Sequence, residues 1–244
     1  MLKNIFGSLL VAAGLVSNSV AAEDYVTTEC AKHGQPEFIF SSGGRKLIPS
    51  DINVFKSILE DMVASGSRFK NGETLLVGSM ILRIEATKDG KLRLLEPDMK
   101  GMPIKFVDSV GTTITLMRRQ RDAVLSLGPS AIPKYASIIE PLLVAPNALK
   151  AEIIVMQRVT DKSAGSGWII TDAKTRSSAN DTKFEAMSIY EAMLKRSDIT
   201  DFLAFPSEYQ VQLMSRREFA LFKESVPIEP IKNSYLFLLN SVKQ

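Results

Sequence analysis

The sequence predicts an α+β protein of two small domains, each a mostly antiparallel sheet packed with helices. Three observations support this fold class. Apolar residues recur at helical spacing in residues 50–65 and 107–125. Asp89-Gly90 stands between two apolar runs, a common signal for a tight β-hairpin. Chain-breaking residues accumulate in residues 129–150, which indicates a connector between two halves.

The first half begins with a predicted strand at residues 38–40 and a turn. A helix is expected to start at Ser50 or Asp51 and to end at Gly66, because apolar residues there recur every three or four positions. Ser50 is the expected cap, since its hydroxyl can accept a hydrogen bond from a free amide of the first turn.

The next stretch, residues 74–128, is predicted to run strand, hairpin, strand and long helix. The strands are residues 74–85 and 91–95, and Pro97 closes the second. A sharp turn then leads into a helix that ends near Gly128. Its predicted apolar side consists of Val107, Val110, Ile114, Met117, Val124 and Leu125, and its polar side of Arg118, Arg119, Arg121 and Asp122.

The expected organisation has four parts. They are a signal peptide at 1–22, an N-terminal domain at 23–130, a connector at 131–150 with a short helix at 135–139, and a C-terminal domain at 151–244. In the last part we expect strands at 152–159, 168–171, 209–214 and 235–239, a polar surface loop at 172–183, a helix at 185–194 and a buried turn at 202–206.

The predicted signal peptide at residues 1–22 indicates the compartment in which we expect the protein. Lys3 is followed by an apolar run and then by Val20-Ala21-Ala22, a pattern typical of a secretory signal peptide cleaved before Glu23. The alternative is an uncleaved membrane anchor. We expect export to the periplasm and no stable membrane span after processing. The net charge is +3 without a long run of Lys or Arg, so nucleic acid is not an expected partner.

The residues that usually perform catalysis are scarce. His33 and Cys30 are the only residues of their types. They could form a dyad, or they could be a flexible surface pair, and one of each does not suit a tetrahedral zinc site. Gly165-Ser166-Gly167 lacks the rest of a dinucleotide-binding fingerprint. We therefore expect no metal, no cofactor and no catalytic residues. Cys30 is expected to be a free thiol or an intermolecular link.

Four carboxylates keep a hydrolase hypothesis open. Glu96 and Asp98 flank Pro97, while Asp198 and Asp201 lie three residues apart. Paired acids could serve a glycosidase, although acids beside turns commonly cap helices or remain solvated.

Three residues are candidates for partner binding: Arg118, Arg121 and Trp168. The arginines belong to the densest positive cluster, which could meet an acidic partner. The alternative is a solvated helix face on which Arg118 pairs with Asp122 at four-residue spacing. Trp168 could anchor an interface or could pack in the core.

Two groups of motifs resemble a known family. The first comprises Leu95-Glu96-Pro97-Asp98, Met102-Pro103-Ile104 and a helix ending in Met117-Arg118-Arg119-Gln120-Arg121-Asp122. The second comprises residues 155–159, Ser166-Gly167-Trp168-Ile169-Ile170, Met187-Ser188-Ile189-Tyr190-Glu191-Ala192 and Phe202-Leu203-Ala204-Phe205-Pro206. In order and spacing, over roughly residues 75–213, they resemble bacterial immunity proteins of family number 33 in the polymorphic-toxin classification.

The resemblance implies a protein that is not an enzyme and that binds and neutralises a cognate toxin, often one delivered by type VI secretion. Many members are cytoplasmic, and this chain departs from them by its predicted leader. The resemblance identifies neither the toxin nor the oligomeric state. The rival hypotheses are a non-enzymatic ligand-binding or adaptor protein of the cell envelope and a hydrolase using Glu96 or Asp98.

Overall fold

The computed structural model describes residues 22–160, 165–174 and 183–241. The predicted leader lies almost entirely outside the described residues, as does most of the predicted loop at 172–183. The described residues contain two sheets and four α-helices, in agreement with the predicted α+β class.

The first sheet has six strands from the N-terminal half. Its main path runs β1-β2-β5-β4-β3, and β6 pairs with β5. All neighbours are antiparallel except β2 and β5. The strands are β1 (Asp24–Val26), β2 (Phe38–Ser41), β3 (Thr74–Val77), β4 (Met80–Ala86), β5 (Leu92–Pro97) and β6 (Phe106–Val107).

Two helices accompany this sheet, α1 (Pro49–Ala64) and α2 (Gly111–Leu125). Pro49 occupies the first turn of α1, where its fixed φ and missing N–H cost nothing. The helix therefore begins before Ser50, and the prediction that Ser50 caps it is wrong, since the cap position is Ile48.

The hairpin prediction at residues 87–90 is confirmed. β4 and β5 are antiparallel, and Gly90 has the positive φ of +81° that the turn requires. Met80, Leu82 and Ile84 are buried, as their alternation predicts. The single strand predicted at 74–85 is instead two strands, because Gly78 turns the chain at a φ of +58°.

The second sheet has seven strands in the order β10-β7-β9-β8-β11-β12-β13. Only β7 and β9 are parallel neighbours. Its strands are β7 (Pro141–Val144), β8 (Ile154–Arg158), β9 (Trp168–Asp172), β10 (Glu185–Ser188), β11 (Tyr209–Ser215), β12 (Glu218–Lys223) and β13 (Val226–Ile228). The helices α3 (Ile189–Lys195) and α4 (Tyr235–Ser241) complete this half.

Three predictions for the connector and the second half are wrong. Residues 185–188 form a strand, because the Ser188 and Glu191 capping box starts α3 only at Ile189. Residues 135–139 are not helical, since their backbone bonds to other segments, as in Ile138 N–H to Ser79 O and Tyr190 N–H to Ile138 O. The strand predicted at 235–239 is helix α4.

Helix α2 contributes to two separate apolar cores. Ile114 and Met117 pack in the core of the first half, whereas Leu116, Ala123 and Val124 pack in the core of the second. The helix begins later than predicted, so Val107 lies in β6 and is exposed. The connector 131–150 supplies β7 and several buried side chains to the second core. The predicted domain boundaries stay a prediction.

Candidate partner-binding site

The three arginines of α2 point to three different carboxylates. Arg118 lies 3.4 Å from Asp51 of α1, and Arg121 donates from Nε to Asp122 over 2.9 Å. The predicted pair of Arg118 and Asp122 is therefore replaced by these two pairs. Arg118 and Arg121 keep 30% and 37% of their side-chain surface exposed, which leaves both able to contact a partner.

The third arginine, Arg119, belongs to a buried network around Asp201. The Asp201 side chain is fully buried and accepts from Arg119, from Arg216 Nε at 2.8 Å and from Tyr235 Oη at 2.7 Å. Arg216 also donates to Tyr235 Oη at 2.9 Å. Burial and the Asp201 charge raise the pKa of Tyr235, which keeps the phenol protonated as a donor.

A second buried chain of hydrogen bonds connects the two halves. Ser79 Oγ donates to Gln120 Oε1 at 3.0 Å, and Gln120 Nε2 donates to the Thr200 carbonyl at 2.9 Å. The Asp201 network and these two hydrogen bonds of Gln120 together fix α2 against the 3-10 helix Ser197–Phe202.

A cleft of about 420 Å³, called the basic cleft below, opens beside the contact of α2 with this 3-10 helix. Four cationic side chains line it: Arg45, Lys100, Arg119 and Arg216. Its described lining residues include no carboxylate. Leu116, Met193 and Leu194 supply apolar wall, and hydroxyl residues of α2 and of the 3-10 helix complete it. Sequence reasoning missed this site because its cations come from four separate segments.

The four carboxylates of the hydrolase hypothesis all have structural partners. Glu96 is 2% exposed and accepts from Ser109 Oγ, Thr112 N–H, Thr113 N–H and Thr113 Oγ1 over 2.7–3.0 Å. It thereby caps the start of α2, for which Val110 offers no side-chain bond. Asp98 accepts from the Lys100 N–H, and Asp198 pairs with Arg196. Asp201 is held as described above.

Trp168 lies fully within the second core. Its Nε1 donates to the Leu203 carbonyl at 3.1 Å, and the Arg158 guanidinium lies 5.9 Å from the ring centre. This arrangement matches the core-packing alternative. A partner-binding role for Trp168, Arg118 or Arg121 stays a prediction.

We expect Trp168→Phe to lower the free energy of unfolding by about 1–3 kcal/mol, because the Leu203 carbonyl loses its donor in a buried site. Urea unfolding followed by circular dichroism measures this loss. Tyr209→Phe, which keeps the ring beside Phe205, is the comparison and should cost less. Equal stability of wild type and Trp168→Phe would contradict the assigned hydrogen bond.

Cys30 is a free and fully buried thiol. Burial raises the pKa of this thiol to about 11, so the reactive thiolate is scarce at neutral pH. His33 is exposed at the end of the same short helix, Cys30–His33. The structure therefore favours the free thiol over the intermolecular link.

We expect Ellman's reagent to leave Cys30 unmodified in the native protein and to modify it after unfolding in guanidinium chloride. The matched control is Lys32→Cys, which places a thiol at a position with 66% side-chain exposure and should react at once. Rapid reaction of the native wild type would show that the thiol is accessible.

Among the residues that the structure describes, no group of three or more His, Cys, Asp and Glu side chains could hold a metal ion. Within the same residues, no helix is both long enough and apolar enough to cross a bilayer.

One segment of the chain is similar to a known domain family. Residues 119–222 match the family model of the Imm33-like domain, from the middle of α2 to near the end of β12. The predicted resemblance to immunity family 33 is confirmed over this segment. For residues 75–118 the resemblance stays a prediction. No curated protein and no solved structure matches the chain.

Proposed function

We propose that this protein is an immunity protein that neutralises a cognate toxin by stoichiometric binding. The observation that carries the proposal is the Imm33-like segment at residues 119–222. The structural roles of Glu96, Asp98, Asp198 and Asp201 add support, because each candidate acid of the hydrolase hypothesis already holds part of the fold.

The proposed site of action is the periplasm. An immunity protein must meet its toxin where the toxin acts, and the sequence of residues 1–22 predicts export. The toxin would then attack the cell envelope as a peptidoglycan hydrolase, a lipase or a pore-former. Delivery by type VI secretion is part of the same proposal.

A competition experiment tests the function. Deletion of the gene should make cells sensitive to their parent strain, and the full chain supplied from a plasmid should restore protection. A chain that lacks residues 2–22 should be produced at the same level and fail to protect, because it would stay in the cytoplasm. A deletion strain that competes equally with its parent would remove the main support.

The alanine variants of Arg118 and Arg121 test the predicted contact residues. Each should weaken binding of the toxin by more than ~1 kcal/mol if the arginine is an anchor. Isothermal titration calorimetry with the toxin encoded beside this gene measures the change. An unchanged affinity would remove that arginine from the interface, and unchanged thermal stability is the control on folding.

The basic cleft also gives some support to the second hypothesis, an envelope protein that binds a ligand. Convergent polar groups over an apolar wall are typical of small-molecule sites. The two hypotheses differ in outcome, because a ligand-binding protein would leave the deletion strain resistant to its parent.

A further inference from the structure

We infer that the basic cleft receives an acidic side chain of the cognate toxin. This inference rests on the proposed function and adds to it the surface and the chemistry of the contact. The cleft is lined by Arg45 from the loop after β2, Lys100 from the β5–β6 connection, Arg119 from α2 and Arg216 from the β11–β12 turn.

The balance of charge around the cleft favours an anion. Asp201 and Glu96 are buried and accept hydrogen bonds from residues of this chain, and Asp98 accepts from the backbone N–H of the lining residue Lys100. Arg119 and Arg216 both bind Asp201, so the pair retains one net positive charge. Arg45 and Lys100 add two more, and in the described residues neither cationic head has an ion-pair or hydrogen-bond partner. The four cations therefore exceed the three carboxylates of Asp201, Glu96 and Asp98, of which the first two are buried.

The N–H groups of Arg119 and Arg216 that have no partner in this chain also favour an anionic occupant. Nε of Arg119 has no hydrogen-bond partner in the described structure but is buried, so only the exposed part of this side chain, 23%, can meet an incoming anion. The Arg216 side chain is 41% exposed and uses Nε and one Nη for Asp201 and Tyr235. Arginine presents five N–H groups in a planar fork, so Arg216 keeps donors that suit a carboxylate.

The apolar wall favours a protein side chain over a free small anion. The partly buried Leu194 gives the cleft an apolar surface that a hydrated anion would not cover, whereas Leu116 and Met193 are only 4% and 3% exposed. An aspartate or glutamate on a protruding loop brings a neighbouring apolar side chain, which excludes water and strengthens the ionic contact. The exposed Arg45 and Lys100 would also accelerate the encounter with a negatively charged surface.

The variant Arg45→Glu with Lys100→Glu tests the cleft and leaves the Asp201 network intact. The matched control is Lys88→Glu with Arg217→Glu, which makes the same charge change at exposed positions outside the cleft lining. In calorimetry with the toxin encoded beside this gene, the cleft variant should bind at least ~100-fold more weakly than wild type, because like charges then face each other. The control should change the affinity by less than about threefold.

Competition assays distinguish a failure of the cleft inference from a failure of the proposed function. If the deletion strain is sensitive and the cleft variant protects it as well as wild type does, the cleft inference is overturned and the proposed function stands. If the deletion strain is resistant, the proposed function itself fails. Equal melting temperatures and equal periplasmic amounts of the variants are required for either comparison.

Titration with inorganic phosphate and with free glutamate tests the alternative occupant. We expect no saturable binding at millimolar concentration, because neither ion covers the apolar wall. Saturable binding that the Arg45→Glu and Lys100→Glu variant abolishes would overturn the inference in favour of a site for a small anionic ligand.

Discussion

Replacing Asp201 by alanine is expected to lower the free energy of unfolding by about 3–5 kcal/mol, the usual loss when one member of a buried ion pair is removed. The side chain is fully buried, and its loss leaves the Arg119 guanidinium with the neutral Thr200 hydroxyl as its hydrogen-bond acceptor in the described structure. Tyr235 and Arg216 lose their shared acceptor at the same time.

Urea unfolding followed by the fluorescence of Trp168, the only tryptophan, measures this effect in the core that contains the network. Asp198→Ala is the matched control on the same short helix. Asp198 is 19% exposed and pairs with Arg196, so its loss should cost about 1 kcal/mol.

A combined variant distinguishes the buried charge from simple packing. Arg119→Met in the Asp201→Ala background removes the orphaned guanidinium, so the combined variant should be more stable than Asp201→Ala alone. If the second substitution instead adds its own full loss, the ion pair is not the reason for the instability.

Replacing Glu96 by alanine is expected to cost at least ~3 kcal/mol, because four buried or half-buried donors lose their acceptor together. The carboxylate also stands at the start of α2, where a negative charge complements the helix dipole. Glu96→Gln should cost less, because the amide keeps one acceptor oxygen while presenting an N–H₂ group to donors.

Far-UV circular dichroism is the appropriate measurement here, since Glu96 lies in the half of the protein that lacks a tryptophan. Glu85→Ala is the control: this side chain is 47% exposed on β4 and should change the stability by less than about 0.5 kcal/mol. A loss equal to that of the control would contradict the capping role of Glu96.

Regular patterns in the sequence were sufficient for much of the fold. Alternation in β4, the Asp-Gly turn and the apolar periodicity of α1 each reflect one local rule, and the structure agrees with all three. The buried turn at residues 202–206 was predicted from its run of apolar residues and is fully buried up to Phe205.

The errors fall where tertiary contacts override local patterns. β12 and β13 were not predicted, because the turn between them uses Glu224 and Ser225 at positive φ, a conformation that neither residue type signals. The apolar run at residues 235–239 fits strand or helix equally well by periodicity. It is helical in the structure, where Leu236 N–H donates to Ser126 Oγ.

The candidate site was only partly accessible from sequence. The positive cluster at residues 118–121 was recognised, but the partners of its members lie on distant segments. Asp51 precedes Arg118 by many positions, and Asp201 follows Arg119 by an even greater distance. Spacing along one helix predicts only neighbours on that helix, which explains the wrong pairing with Asp122.

Helix α2 packs in the apolar cores of both halves, and this limits how the chain can be shortened. A fragment beginning at Arg119, the start of the Imm33-like segment, would lack the first two turns of that helix and everything they cover. The fragment would lack Glu96, which caps the start of α2, and Gln120 would lose its hydrogen bond from the Ser79 hydroxyl. Recombinant fragments meant to isolate the Imm33-like segment should therefore keep the strands before α2, since the cores of both halves pack against this one helix.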